Sequence, residues 1–170
     1  MVIKEIYFDM DGVFVNFNKR WKELFNSLPL ENYPTISNNA KKRQMKENFK
    51  TFVETDNFAT MEPMPDFPLA ISFINKLGNK YKLYMLSSTA TEEYAKEISR
   101  QKLIWLKKYD INIPPIFVPG ARFKQLYSGT GKLAIDDKLL TITQWNSKGG
   151  VGIHHKNWKT TINAIQVYLN

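Results

Sequence analysis

The sequence predicts an α/β fold, a mostly parallel sheet with helices on both faces. Two observations predict it. Short runs of β-branched and aromatic residues alternate with stretches whose apolar residues recur at helical spacing. Polar or acidic residues close three of the five apolar runs, where ligand sites form in such sheets. Alternation of this kind builds βαβ units, because parallel strands need crossover connections.

Residues 2–8, VIKEIYF, read as the first strand and stop at the polar turn DMDG. Phe17, Trp21, Leu24, Phe25 and Leu28 then share a helical face, and residues 29–37 form a proline-containing loop. A second helix is expected over 38–55, with Met45, Phe49, Phe52 and Val53 on one stripe. Pro63, Pro65 and Pro68 break any helix across EPMPDFP. Asp66 is placed to cap a helix that begins near Pro68 and carries Leu69, Ile71, Phe73, Ile74 and Leu77. YKLYML (81–86) is the second strand, followed by a long helix over 92–109. PPIFV (114–118), KLAI (132–135) and VGIHH (151–155) supply three more strands, and residues 157–169 the last helix.

Composition narrows the function. A chain of 170 residues fits one domain with a small insertion. The absence of cysteine excludes disulfides, a thiolate nucleophile and Cys-ligated metal sites. No apolar run is long enough to span a membrane, and the charged N-terminus does not read as a signal peptide, so a cytoplasmic location is the expectation. The net charge of +8 suits an anionic partner. The lysines are spread along the chain, however, and charge alone selects no function.

From Asp11 to Ser87 the chain runs 76 residues, whereas a βαβ unit needs only about 30. The excess is an insertion above the carboxyl end of the first strand, helical and rich in aromatics, in the position of a lid.

Asp9 and Asp11 converge at that strand end, because side chains two apart in extended backbone share a face. Two adjacent carboxylates repel unless a hard divalent cation resolves the conflict. Asp136 and Asp137 complete such a site if the fourth strand lies beside the first.

YFDMDGVFVNF resembles the first motif of the haloacid dehalogenase-like (HAD) phosphohydrolases. LYMLSS, ending at Ser87, resembles their second motif. Lys124, which lies 12 residues before Asp136, resembles the third, and LAIDD the fourth. The Phe eight residues after Asp9 and the segment NFATMEPMPD are similar to the 5'(3')-deoxyribonucleotidases. The motif Ser87-Ser88-Thr89 departs from the Thr-Ser-Pro expected there. The resemblance implies a Rossmann-like, five-stranded parallel sheet formed by residues 1–13 and 66–170, with a helical cap over 14–65. It implies a Mg²⁺-dependent phosphatase acting on nucleoside monophosphates. Asp9 would be the nucleophile, Asp11 the general acid–base and Lys124 the cation that neutralises charge on the phosphoryl oxygens. Gly12, Ser87, Ser88 and Lys124 would bind phosphate, and Phe17 and Phe52 would stack on the base. Asp9, Asp11 (through its backbone carbonyl), Asp136 and Asp137 would hold the metal. A homodimer is also implied.

Alternatives stay open at this stage. The chain could act on nucleic-acid 3' ends or another small phosphate ester, or serve as a non-catalytic phosphoacceptor or nucleotide-binding module; a cap over the site argues against a polymer. His154 and His155 are adjacent, face opposite sides of a strand and read as structural or exposed. GGVG lacks the Lys-Ser/Thr sequel of a phosphate-binding loop.

Overall fold

A computed structural model describes residues 2–27, 29, 38–78 and 80–169. Leu28 and most of the loop expected over 29–37 lie outside the described residues. Among the described residues, five strands form one parallel sheet: β1 (Glu5–Phe8), β2 (Lys82–Ser88), β3 (Pro115–Val118), β4 (Lys132–Asp136) and β5 (Val151–His154). Their order is β3-β2-β1-β4-β5, with β1 at the centre. Phe8 sits opposite Met85 on one side and Ile135 on the other. Asp9, Ser87 and Asp136 therefore emerge at one edge.

The helices are α1 (Phe17–Phe25), α2 (Asn39–Glu54), α3 (Asn57–Thr60), α4 (Phe67–Leu77), α5 (Ala95–Lys108), α6 (Leu139–Ser147) and α7 (Trp158–Gln166). Alternation along β1 divides the core. Ile6 and Phe8 face Ile74 of α4, Ile98 and Trp105 of α5, and Trp158 of α7. Tyr7 faces Leu86, Ala134 and Trp145 of α6 on the other side. Both faces of the sheet are thus covered, as buried parallel strands require.

Several local expectations needed correction. Ser87 and Ser88 lie inside β2 rather than beyond it. The helix α6, the short α3 and a 3-10 segment over Ala121–Tyr127 had no clear signal in the sequence. Asp66 precedes α4 but makes no side-chain cap there; its Oδ2 instead accepts from the Trp158 amide at 2.6 Å and so joins α4 to α7.

The segment between β1 and α4 leaves and returns through paired backbone. Asn16 N donates to Glu62 O at 2.9 Å, and Met64 N donates to Phe14 O at 2.8 Å. Beyond this pairing, α3 packs on α5. Gln101 of α5 is fully buried; its Nε2 donates to Val53 O at 2.7 Å, and its Oε1 accepts from Phe58 N at 3.0 Å. Trp105 Nε1 donates to Met61 O at 2.8 Å, and Arg100 pairs with Asp56. Among the described residues, no helix is long and apolar enough to cross a membrane.

Gln101→Leu strands two buried backbone groups at this junction, each worth about 1–3 kcal/mol. Urea unfolding should show a loss of about 2–5 kcal/mol. Hydrogen exchange should show the loosening concentrated in α2 and α3.

Candidate active site

The turn after β1 shapes the site. Met10 O accepts from Phe14 N at 2.9 Å and Val15 N at 3.1 Å, folding the chain back over the strand end. Gly12 sits at φ +77, and a Cβ there would lie 2.4 Å from Asp137 Oδ2. Both the backbone conformation and the seat of Asp137 therefore require glycine.

Asp9 is nearly buried. Its Oδ1 accepts from the Met10 amide at 2.7 Å and pairs with Lys124 Nζ at 2.8 Å. Lys124, buried on the 3-10 segment, also donates to Asp136 Oδ2 at 2.7 Å. Burial alone would depress the Lys124 pKa, but the charges of Asp9 and Asp136 outweigh it and hold the pKa raised. Asp136 accepts a further bond from the Lys138 amide at 2.8 Å. Burial, then the charge of Asp9, push its carboxyl up. Asp137 is pushed up to about 7, chiefly by burial and by Asp9. The Asp137 carbonyl accepts from His154 Nε2 at 3.0 Å.

Ligand atoms of Asp9, Asp136 and Asp137 all lie within 4.8 Å of one another. Asp137 Oδ1 is buried without a hydrogen-bond partner. Three convergent carboxylates, two with raised pKa and one with a bare oxygen, fit the hard-oxygen donor set of a divalent cation. The Asp11 carboxylate is not part of this trio. Its Oδ2 accepts from Lys102 Nζ at 2.6 Å, and its Oδ1 is buried and unpartnered.

A cavity of about 480 Å³ opens over these groups. Asp9, Asp11, Gly12, Ser88, Lys124 and Asp137 line its floor, and Phe17, Phe49, Phe58 and Met64 its apolar wall. Phe52, expected against a base, is fully buried and absent from the lining; it packs behind the wall, 5.1 Å from the Phe17 ring and 5.0 Å from Phe58. Ser87 is also fully buried and outside the lining, with its Oγ accepting from Lys102 at 2.7 Å. His155 is buried, with Nδ1 on Thr161 Oγ1 at 2.8 Å, and burial holds its pKa down at about 4.

Phe49, Phe58 and Lys102 were missed in the sequence. Lys102 had a legible signal. It falls with Ile98, Gln101, Trp105 and Leu106 on the buried stripe of α5, where a lysine is out of place.

No protein-family model matches the chain, and no curated protein matches it. Solved structures do. The HAD family enzyme BT-2542 from Bacteroides thetaiotaomicron, in a magnesium complex, is 14% identical, with 92% of this chain and 94% of that chain covered and a TM-score of 0.55. The same enzyme with magnesium and inorganic phosphate gives 12% identity, 91% and 94% coverage and a TM-score of 0.51. A hydrolase from Pseudomonas syringae gives 11% identity, 98% and 100% coverage and a TM-score of 0.54.

Gly12→Ala should displace Asp137 and strain the turn; isothermal titration should show a divalent cation binding at least about tenfold more weakly, a loss near 1.4 kcal/mol. Because Asp137 titrates near pH 7 without a cation, and binding requires its ionised form, affinity should fall as pH drops below about 7 and level off above it. Titrations in buffers of different ionisation enthalpy should detect proton release only on the acid side. At these low identities the likeness is one of architecture: the chain has the HAD-like fold.

Proposed function

We propose that this chain is a Mg²⁺-dependent phosphatase that hydrolyses small phosphate monoesters, nucleoside monophosphates foremost, through an aspartyl-phosphate on Asp9. One observation carries the reading: Asp9, Lys124 and the carboxylates of Asp136 and Asp137 converge at one edge of the sheet, and all of them but Asp136 line a cavity with an aromatic wall.

The Met10 amide and Lys124 both meet Asp9 at Oδ1, which leaves Oδ2 as the attacking oxygen. As the O–P bond to Asp9 forms, the bond to the leaving oxygen breaks, and Asp11 supplies the proton that the alkoxide needs. Asp11, now ionised, takes a proton from the water that attacks the aspartyl-phosphate; inorganic phosphate leaves and Asp9 is regenerated. Lys124 offsets charge on the phosphoryl oxygens, the positioning and electrostatic work that dominates phosphoryl transfer. Asp9, Asp136 and Asp137, with the Asp11 carbonyl, would hold Mg²⁺; Asp137 Oδ1 is the carboxylate oxygen of this trio that is buried and without a partner among the described residues. The ion would neutralise phosphate charge there.

The cavity volume lies within the usual range for small-ligand sites, about 300–1,000 Å³. Phe17, Phe49 and Phe58 line the wall, and stacking of an aromatic ring on a base is worth about 1–3 kcal/mol with little regard to which base. These features favour a nucleoside monophosphate over a polymer end.

Phosphate release should be measured from a panel of ribo- and deoxyribonucleoside 5'- and 3'-monophosphates. Turnover should require Mg²⁺, stop with EDTA and fall to background in Asp9→Asn. No metal-dependent release from any ester would refute the reading; release from simple sugar phosphates alone would refute the nucleotide assignment.

A further inference from the structure

Lys102 is the one fully buried lysine in the core besides Lys124 among the described residues, and the chemistry above gives it no part. Its ammonium meets three acceptors: Asp11 Oδ2 at 2.6 Å, Ser87 Oγ at 2.7 Å and Ser88 O at 2.9 Å. Three acceptors use all three N–H bonds of a lysine ammonium. The stem crosses from α5, and the Phe58 ring centroid lies 5.2 Å from Nζ. The group is thus held by β2, by the turn after β1 and by the cavity wall at once.

We infer that Lys102 is a positioning residue for Asp11: it fixes, through Oδ2, the carboxyl of a residue that lines the cavity floor. This inference rests on the phosphatase reading. Lysine can only donate, so the oxygen facing it must accept. When the ester P–O bond breaks, its electron pair goes to the leaving oxygen, which takes the Asp11 proton. The same carboxylate is then the acceptor for a proton of the attacking water, and Lys102 holds it in place for both transfers. The same ammonium orders Ser87: an Oγ that accepts from Lys102 keeps its own O–H free to donate.

Lys102→Met keeps the length of the side chain and removes the donor. The readout is kcat/KM for two esters, because it reports the first phosphoryl transfer. An alkyl phosphate needs its leaving oxygen protonated; p-nitrophenyl phosphate does not. The variant should lose roughly 10²-fold on the alkyl ester, the lower part of what general acid catalysis contributes, and far less on p-nitrophenyl phosphate. Equal losses on the two esters, or no loss, in a variant with wild-type circular dichroism would overturn the inference while leaving the phosphatase reading intact. A wild-type chain that releases phosphate from neither ester nor from the nucleotide panel defeats the phosphatase reading itself. If Lys102→Met does not fold, ¹⁵N-lysine spectra decide. Lys102 and Lys124 should give two solvent-protected ammonium signals, and Asp11→Asn should move one and spare the other. If neither signal moves, the inference fails.

Discussion

Four carboxylates crowd one edge of the sheet, and their repulsion is the constraint that the surrounding structure answers. Asp9, Asp11, Asp136 and Asp137 cannot share so small a volume as free anions. The chain meets them with two buried lysines delivered from opposite layers. Lys124 arrives on the 3-10 segment, on the Tyr7 side of the sheet, and joins Asp9 to Asp136. Lys102 arrives on α5, on the Phe8 side, and takes Asp11. Removing one partner of such a buried pair costs about 3–5 kcal/mol, since a charge is then left unmatched out of water. Two lysines against four acids leave negative charge over; the exposed Lys138 beside Asp137 is screened by water and offsets little of it. That surplus is what a cation would settle on.

Sheet geometry makes the convergence possible. Parallel register sets Phe8 level with Ile135, so the next residue of each strand ends at the same height. Alternation then sorts the partners. Ser87 falls on the same face of β2 as Met85, toward α5, while Asp136 falls on the face of Ala134, toward the 3-10 segment. The Gly12 turn brings Asp11 back over this edge, and its missing side chain is where Asp137 sits.

Much of this was legible in the sequence because it is written in local chemistry. β1 and β4 announce themselves as apolar runs that end in acids, and the excess length before β2 betrays the inserted helices. What was not legible depends on depth. The stripe of α2 names Phe49, Phe52 and Val53 together, yet only tertiary packing decides that Phe49 reaches the cavity while Phe52 is sealed behind it. Lys102 was passed over because α5 carries Lys96, Lys107 and Lys108 as well, and lysines on a helix usually face water. Its place on the apolar stripe set it apart from the others. The α6 segment LLTITQWNS hides its character because Leu139 and Leu140 are exposed and its β-branched residues mimic a strand.

The paired backbone at Asn16–Glu62 and Phe14–Met64 has a wider consequence. Chain ends held side by side make whatever hangs between them an interchangeable cassette. Doubling the length of such a loop costs only about 0.6 kcal/mol in closure entropy. A lineage could therefore exchange the helices between these ends without touching the hydrogen bonds that join Asp9, Lys124 and Asp136, provided the replacement still met Gln101 and Trp105 of α5.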